Sequence, residues 1–276
     1  MKICFCTPKN NFRVFKNEFY QGEKFPDNFL DESVIKDLPF IGFIKALNSD
    51  FKFFENLDGD DLNYYDYIFY VSYVDEIPDL IRNYANKFIY IPTEPQYSNC
   101  YGKEFSVLNT YNQIRYDFPN VLFYNYVYDL EYFYSFKTNK KENKIFRQKR
   151  SPNLSIPGFS DMREDFGNRS YLNYFEQLSK CKYSYSLCNS DSPGQTTSDS
   201  SIVGVINFAC PNKLMAQKCL PDYCLVNTIG EVEEKIFEIE RDQSLYNSLL
   251  MEMNHKVKEN LSLNSFKSSF LSFLDK

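Results

Sequence analysis

Residues 191–204 read Asp-Ser-Pro-Gly-Gln-Thr-Thr-Ser-Asp-Ser-Ser-Ile-Val-Gly. An apolar strand pattern at 183–188 runs into this polar loop, the loop opens a short helix, and 205–209 has the pattern of the next buried strand. The first turn of such a helix presents backbone N–H groups and the positive end of a helix dipole. Gly194, Gln195, Thr196 and Thr197 are therefore candidate contacts for a phosphate or a sugar hydroxyl. Asp191 and Asp199 bracket the loop and can accept hydrogen bonds from a polyol. The pattern suits a ligand that is part anion and part hydroxyl-rich.

A second group of candidates lies earlier in the chain. Glu94 stands between Pro92 and Pro95, just after an apolar strand at 87–91. The carboxyl end of a strand is where open α/β sheets place ligands, and the flanking prolines restrict the loop. Glu94 is the candidate to face a reaction centre; the alternative is an exposed loop glutamate. Between 136 and 151 the chain gathers Lys137, Lys140, Lys141, Lys144, Arg147, Lys149 and Arg150. Arg147 and Arg150, with Arg163 and Arg169 further on, are candidates to neutralise a diphosphate. A solvated linker, and surface pairs with Glu164 and Asp165, are the competing readings.

Asp191 and Asp199 are separated by seven residues, and Asp199 lies five before Gly204. In this the segment resembles the donor-binding segment of nucleotide-sugar-dependent glycosyltransferases of the GT-B type. Many retaining members carry two glutamates at that separation, the second five residues before a glycine. Here both are aspartates, one methylene shorter. The resemblance implies an α/β fold of two Rossmann-like domains facing a central cleft. It implies transfer of a hexosyl or pentosyl group from a nucleoside diphosphate, a UDP-sugar, which is a substrate and not a cofactor; the sequence has no DxD flanked by apolar strand residues, so a metal-independent donor site is expected. Asp199 would then hold the ribose hydroxyls and Asp191 the donor sugar. A retaining enzyme requires no protein base, and in an inverting one Glu94 would be the general base. Compact enzymes of this type include phage enzymes that glycosylate modified bases, so the resemblance allows a hydroxymethylated DNA base as acceptor; a saccharide, a lipid-linked or a protein acceptor is the alternative. The competing class is a non-catalytic two-domain module that binds a nucleotide or a sugar.

The elements that position these residues alternate between strand and helix patterns. Apolar runs at 2–7, 51–54, 67–72, 87–91 and 121–124 have the form of strands, and helical spacing marks 33–47, 77–86, 105–118 and 171–178. Residues 10–29 suggest a long loop. A short strand at 225–227, a charged helix at 231–240 and a long helix at 245–261 close the chain. This alternation predicts parallel sheets with helical crossovers. The composition shift sets the expected organisation: an acceptor-side domain at 1–136, a basic linker at 137–152, and a donor domain at 153–276 whose last helix packs back on the first domain.

At 276 residues and 43% hydrophobic content the chain can bury a sizeable core. Its 27 Phe and 23 Tyr, with no Trp, fit AT-rich codon usage better than wholesale carbohydrate stacking. A net charge of −6 argues against a broad phosphate-binding surface. The eight cysteines form no CxxC pair, and Asp60, Asp61 and Asp66 fit a solvated helix or turn better than a metal site. No signal peptide is evident and no run reaches the roughly 20 apolar residues of a membrane span, so reduced thiols in the cytoplasm, a host's if the source is viral, are expected without stable membrane association. The one histidine, His255, falls in a helix, and no GxSxG, Walker loop or HExxH is present.

Overall fold

The computed structural model describes residues 1–8, 41–72, 78–92, 106–109, 121–123, 126–148, 150–163, 171–187 and 194–274. Glu94, Asp191, Arg169 and the expected loop at 10–29 lie outside the described residues. The chain forms two compact units, Met1–Tyr128 with Leu263–Lys276, and Asp129–Ser262. Both are built on parallel sheets, the α/β organisation that the strand–helix alternation predicts.

The first unit carries β1 (Ile3–Thr7), β2 (Asp50–Phe53), β3 (Tyr67–Ser72), β4 (Phe88–Pro92), β5 (Ser106–Asn109) and β6 (Val121–Phe123). They pair in the order β2-β1-β3-β4-β5-β6, every pair parallel. Its helices are α1 (Ile41–Leu47), α2 (Gly59–Tyr64) and α3 (Asp79–Asn83). Near-continuous apolar strands are what a sheet covered on both faces requires. Cys4, Cys6, Ile68, Tyr70, Phe88 and Tyr90 project to one face and pack with Leu62 and Ile81. The residues between them, Ile3, Phe5, Phe69, Val71, Ile89 and Ile91, build the other face.

The helix expected at 105–118 is overturned at its start. Ser106–Asn109 is a strand, with Val107 in register with Tyr90 of β4 and Val121 of β6. Two neighbouring strands offering backbone partners outweigh the helical spacing of a short apolar run. The acidic residues near α2 have structural work. Asp58 and Asp61 form a reciprocal capping box, Asp61 also pairs with Lys52, and Asp66 accepts from the Lys2 backbone at 2.7 Å.

The second unit carries β7 (Glu142–Arg147), β8 (Ser160–Arg163), β9 (Cys181–Ser186) and β10 (Ile206–Ala209), ordered β10-β9-β7-β8 and all parallel. The strand expected at 225–227 reduces to a single bridge from Leu225 to Ala209. The helices are α4 (Leu130–Tyr134), α5 (Tyr171–Lys180), α6 (Gln195–Ile202), α7 (Leu214–Cys219), α8 (Ile229–Arg241) and α9 (Gln243–Leu261). The units divide at Tyr128 and Asp129, before the basic segment, and residues 142–147 of the expected linker are β7. The lysines suggested solvent, but Ile145 and Phe146 between them are buried and anchor the strand.

After α9 the chain returns to the first unit as α10 (Leu263–Leu274). Phe266 meets Phe43 of α1 edge-on, with ring centroids 4.7 Å apart, and Phe270 packs on Phe69. Phe69 in turn stacks on Phe5 at 4.4 Å. Each such ring contributes roughly 1.5–3 kcal/mol on burial. None of the described helices is long and apolar enough to cross a membrane.

α1 approaches the segment at Val127 so closely that only glycine fits at position 42. A Cβ on Gly42 would lie 1.7 Å from the Val127 carbonyl oxygen and 2.3 Å from its carbon. Because the obstacle is backbone, Gly42→Ala must displace α1. We expect a loss of about 1–3 kcal/mol or more in the stability of the first unit. Urea unfolding checks this, and an unchanged midpoint would show that α1 tolerates the shift.

Candidate functional site

Because the four strands of the second sheet are parallel, their carboxyl ends lie along one edge, where α/β sheets bind ligands. Arg147 is in register with Arg163 on one side and Tyr185 on the other, and Ala209 with Ser186. The turn after β7 is fastened to the end of β9. Ser186 Oγ donates to Gln148 Oε1 at 2.6 Å, Leu187 N–H to Ser151 Oγ at 2.9 Å, and Tyr185 Oη to the Pro152 carbonyl at 2.7 Å.

Gly194 opens α6 from the left-handed region, at φ 93° and ψ 47°, which favours glycine. Its carbonyl accepts from Thr197 N–H at 2.9 Å and Ser198 N–H at 3.3 Å. A Cβ at this position would meet Met215 Cβ at 3.3 Å, Thr197 Oγ1 at 3.6 Å and Lys213 Cβ at 3.8 Å. The start of α6 thus lies against Lys213, in the turn after β10, and Met215 of α7.

α6 is buried from Thr196 to Ile202, although most of its residues are polar. Its hydroxyls bond back into the helix: Ser198 to the Gln195 carbonyl at 2.8 Å, Ser200 to Thr196 at 2.7 Å and Ser201 to Thr197 at 2.8 Å. Thr197 Oγ1 is buried and has no hydrogen-bond partner among the described residues. Asp199 is 1% exposed and accepts from Tyr174 Oη of α5 at 3.1 Å. Its carboxylate therefore lies inside the unit, tying α6 to α5, past the first turn where a ligand would meet the helix.

The basic cluster divides between inside and outside. Lys141 Nζ donates to the Ser179 carbonyl at 2.7 Å and the Val203 carbonyl at 3.4 Å, closing the carboxyl ends of α5 and α6 together. Lys137 donates to Asn254 Oδ1 at 2.6 Å and lies 3.6 Å above the Tyr134 ring. Burial pulls both ammonium groups down to about 8. Arg147 donates to Asp161 Oδ2 at 2.7 Å and to the Ser151 carbonyl at 3.4 Å. Arg150 is exposed just after β7, and Arg163 ends the edge strand β8. Among the described residues no group of three His, Cys, Asp or Glu could hold a metal.

No protein family and no curated protein sequence matches the chain. Solved structures do. Anabaena Alr3699/HepE in complex with UDP aligns with a TM-score of 0.60 at 10% identity, covering 100% of both chains. A glycosyltransferase from Rickettsia africae ESF-5 gives 0.59 at 9% identity, over 99% of this chain and 98% of that one. A DNA-modifying β-glucosyltransferase, solved with and without its substrate uridine diphosphoglucose, gives 0.51 at 11% identity over 100% of both. The chain has the fold of the GT-B glycosyltransferases.

Likeness at such identities carries the fold and assigns no residue, so the site rests on its own geometry. Within this GT-B fold Gly194, Gln195, Thr196 and Thr197 form the start of α6 beside the carboxyl edge, where Arg147 and Arg163 end their strands. Lys213 was not among the sequence candidates. It is 4% exposed, caps the amino end of α7 and lies beside Gly194. The signal for it was the turn at 211–213, which follows a buried strand just as the 191–199 loop does.

The Lys141 clamp has a pH consequence. Its folded pKa, about 8, is below the ordinary 10.5 of the unfolded chain, so between those values the unfolded state binds the extra proton. Stability from this group therefore rises as pH passes through about 8 and levels off near 10.5. Comparison with Lys141→Met at each pH cancels the opposing slope from buried thiols such as Cys181, pushed up to about 12. Urea midpoints from pH 7 to pH 10 should show wild type gaining on the variant; parallel curves would place the ammonium in solvent.

Proposed function

We propose that this chain is a glycosyltransferase that moves a sugar from a nucleoside diphosphate, a UDP-sugar, to a hydroxyl of an acceptor. The observation that carries this reading is the start of α6 at the carboxyl edge of the second sheet, with Gly194 left-handed and the buried Thr197 Oγ1 unpartnered among the described residues. The positive end of the helix dipole suits the charge that develops on a departing diphosphate. The arginines ending β7 and β8 lie along the same edge. UDP is the first donor to test because Alr3699/HepE was solved with UDP and the β-glucosyltransferase with uridine diphosphoglucose. The latter also favours a hexosyl over a pentosyl group.

In this reading Gly194, Gln195, Thr196 and Thr197 meet the donor, and Asp199 holds α6 in place through Tyr174. Asp191 is assigned to the donor sugar and Glu94 to the acceptor, as general base if the reaction inverts. In the sequence Glu94 follows the last residue of β4 by two positions, and β4 ends at the carboxyl edge of the first sheet. For the acceptor, a net charge of −6 favours a saccharide over a DNA duplex.

A thermal-shift screen against UDP, GDP, ADP and their sugars tests the donor, and slow hydrolysis of the sugar that binds separates an enzyme from a binding module. If the reaction inverts, Glu94→Gln should keep donor affinity and lose roughly 10²–10⁴-fold in transfer rate. A retaining stereochemical outcome predicts only a mild effect. An inverting enzyme that transfers at the wild-type rate with glutamine at 94 would remove Glu94 from the mechanism.

A further inference from the structure

Two of the ties that hold α6 run to α5. Asp199, in the middle of α6, accepts from Tyr174 Oη at 3.1 Å. At its end, Lys141 Nζ donates to the Val203 carbonyl at 3.4 Å and to the Ser179 carbonyl of α5 at 2.7 Å. The ties are four residues apart on α6 and five apart on α5, about one turn in each case. One tie lets a helix pivot on its neighbour, whereas a pair a turn apart fixes their crossing. Lys141 also refers both helices to the sheet, because it stands directly before β7, which pairs with β8 and β9. Its ammonium sits between two helix ends whose carbonyls carry partial negative charge, so it satisfies them and cancels their repulsion. Ser179 and Val203 are buried, which makes solvent a poor substitute.

We propose that Lys141 is a positioning residue: by closing the carboxyl ends of α5 and α6 it fixes where the first turn of α6 stands, at the far end of that helix, and so how well the turn meets a ligand. The part about the ligand rests on the donor reading above; the part about the helix does not. α6 has eight residues and is about 12 Å long. Serine hydroxyls bonded one turn back stiffen it, so a shift at Val203 is carried along its length. The pivot is firm, because the Tyr174 ring packs edge-on against Phe146 of β7. With Lys141 replaced and Asp199 still bound to Tyr174, the helix turns about Asp199. Gly194 lies five residues to one side of that pivot and Val203 four to the other. These are roughly 7.5 and 6 Å along the axis, so the two ends swing by similar amounts in opposite senses. Lys137 does not duplicate the clamp, since its ammonium is engaged with Asn254 of α9.

The test compares wild type with Lys141→Met, Lys141→Gln and, as a control, Lys140→Met, which removes an exposed charge one residue away. Amide exchange resolved by NMR is read at 203–205, whose N–H groups bond to carbonyls of 199–201 near the clamp, and at 197 and 198, whose N–H groups bond to the Gly194 carbonyl. Strand β10 supplies the reference for the unit as a whole. Lys141→Met should speed exchange at 197 and 198 by more than in β10, Lys141→Gln, which keeps an amide donor, should do so less, and Lys140→Met not at all. Calorimetry should show Lys141→Met binding UDP roughly two- to thirtyfold more weakly than wild type. Faster exchange confined to 203–205, or equal throughout the unit, makes Lys141 a local cap or a general stabiliser and overturns the proposal. Faster exchange at 197 and 198 with UDP bound at wild-type affinity overturns it too, because the turn then moves without consequence for the ligand. If folded wild type binds no nucleotide, exchange at 197 and 198 that depends on Lys141 upholds the placement of the helix and overturns the donor reading alone. Absence of both effects overturns both. Should Lys141→Met fail to fold, Lys141→Gln carries the same comparisons.

Discussion

The second unit is organised around burying a helix made largely of hydroxyl residues. A helix is normally buried along an apolar stripe, and α6 has almost none until Ile202. Burial is tolerated because the polar groups are satisfied locally. Serine hydroxyls return to carbonyls one turn back, and Asp199 accepts from Tyr174. Small side chains also let the sheet and the flanking helices approach closely. The gain is positional, because α6 is then held by packing from Thr196 to Ile202. Thr197 is where local satisfaction stops, and it stops at the end of the helix that faces the carboxyl edge.

The sheet beneath is matched to this load. Ser184 and Asn207 are in register with Phe146, so they share its face, and Asn207 Nδ2 donates to Ser184 Oγ at 2.8 Å. Phe146 packs against Tyr174 of α5, the same residue that holds Asp199. The opposite face is aromatic, with Tyr183 in edge contact with Tyr246 of α9 and its hydroxyl donating to Glu240 of α8. Burial and that carboxylate raise the Tyr183 phenol, which stays protonated as the donor. The richness in Phe and Tyr thus goes, among the described residues, largely into packing such as the Phe5, Phe69 and Phe270 stack.

Strands with two apolar faces were legible in the sequence because burial on both sides leaves a continuous run, as in 67–72 and 87–91. Elements whose stability is supplied by neighbours were not. Ser106–Asn109 is a strand through its register with β4 and β6, and Ser160–Arg163 is a mostly exposed edge strand with little apolar signal. The basic segment misled for a different reason. Charge implied solvent, yet the stems of Lys137 and Lys141 run inward, and their ammonium groups find carbonyl and amide oxygens. The start of the candidate site at 194–197 could be read from strand–loop–helix order alone. The direction in which Asp199 points could not, because it depends on Tyr174, twenty-five residues away.

The proposed donor is an anion, and the chain that would bind it is acidic. With a net charge of −6, long-range attraction works against a phosphate ligand, so binding must come from short-range groups in a covered setting. Helix N–H groups suit that role because their dipole is fixed by the fold and does not change the net charge. The buried lysines of the basic segment serve the scaffold instead, Lys137 on an amide oxygen and Lys141 on helix carbonyls. A change at Lys141 therefore acts first on the packing of α5 against α6, whose carboxyl ends that ammonium closes together.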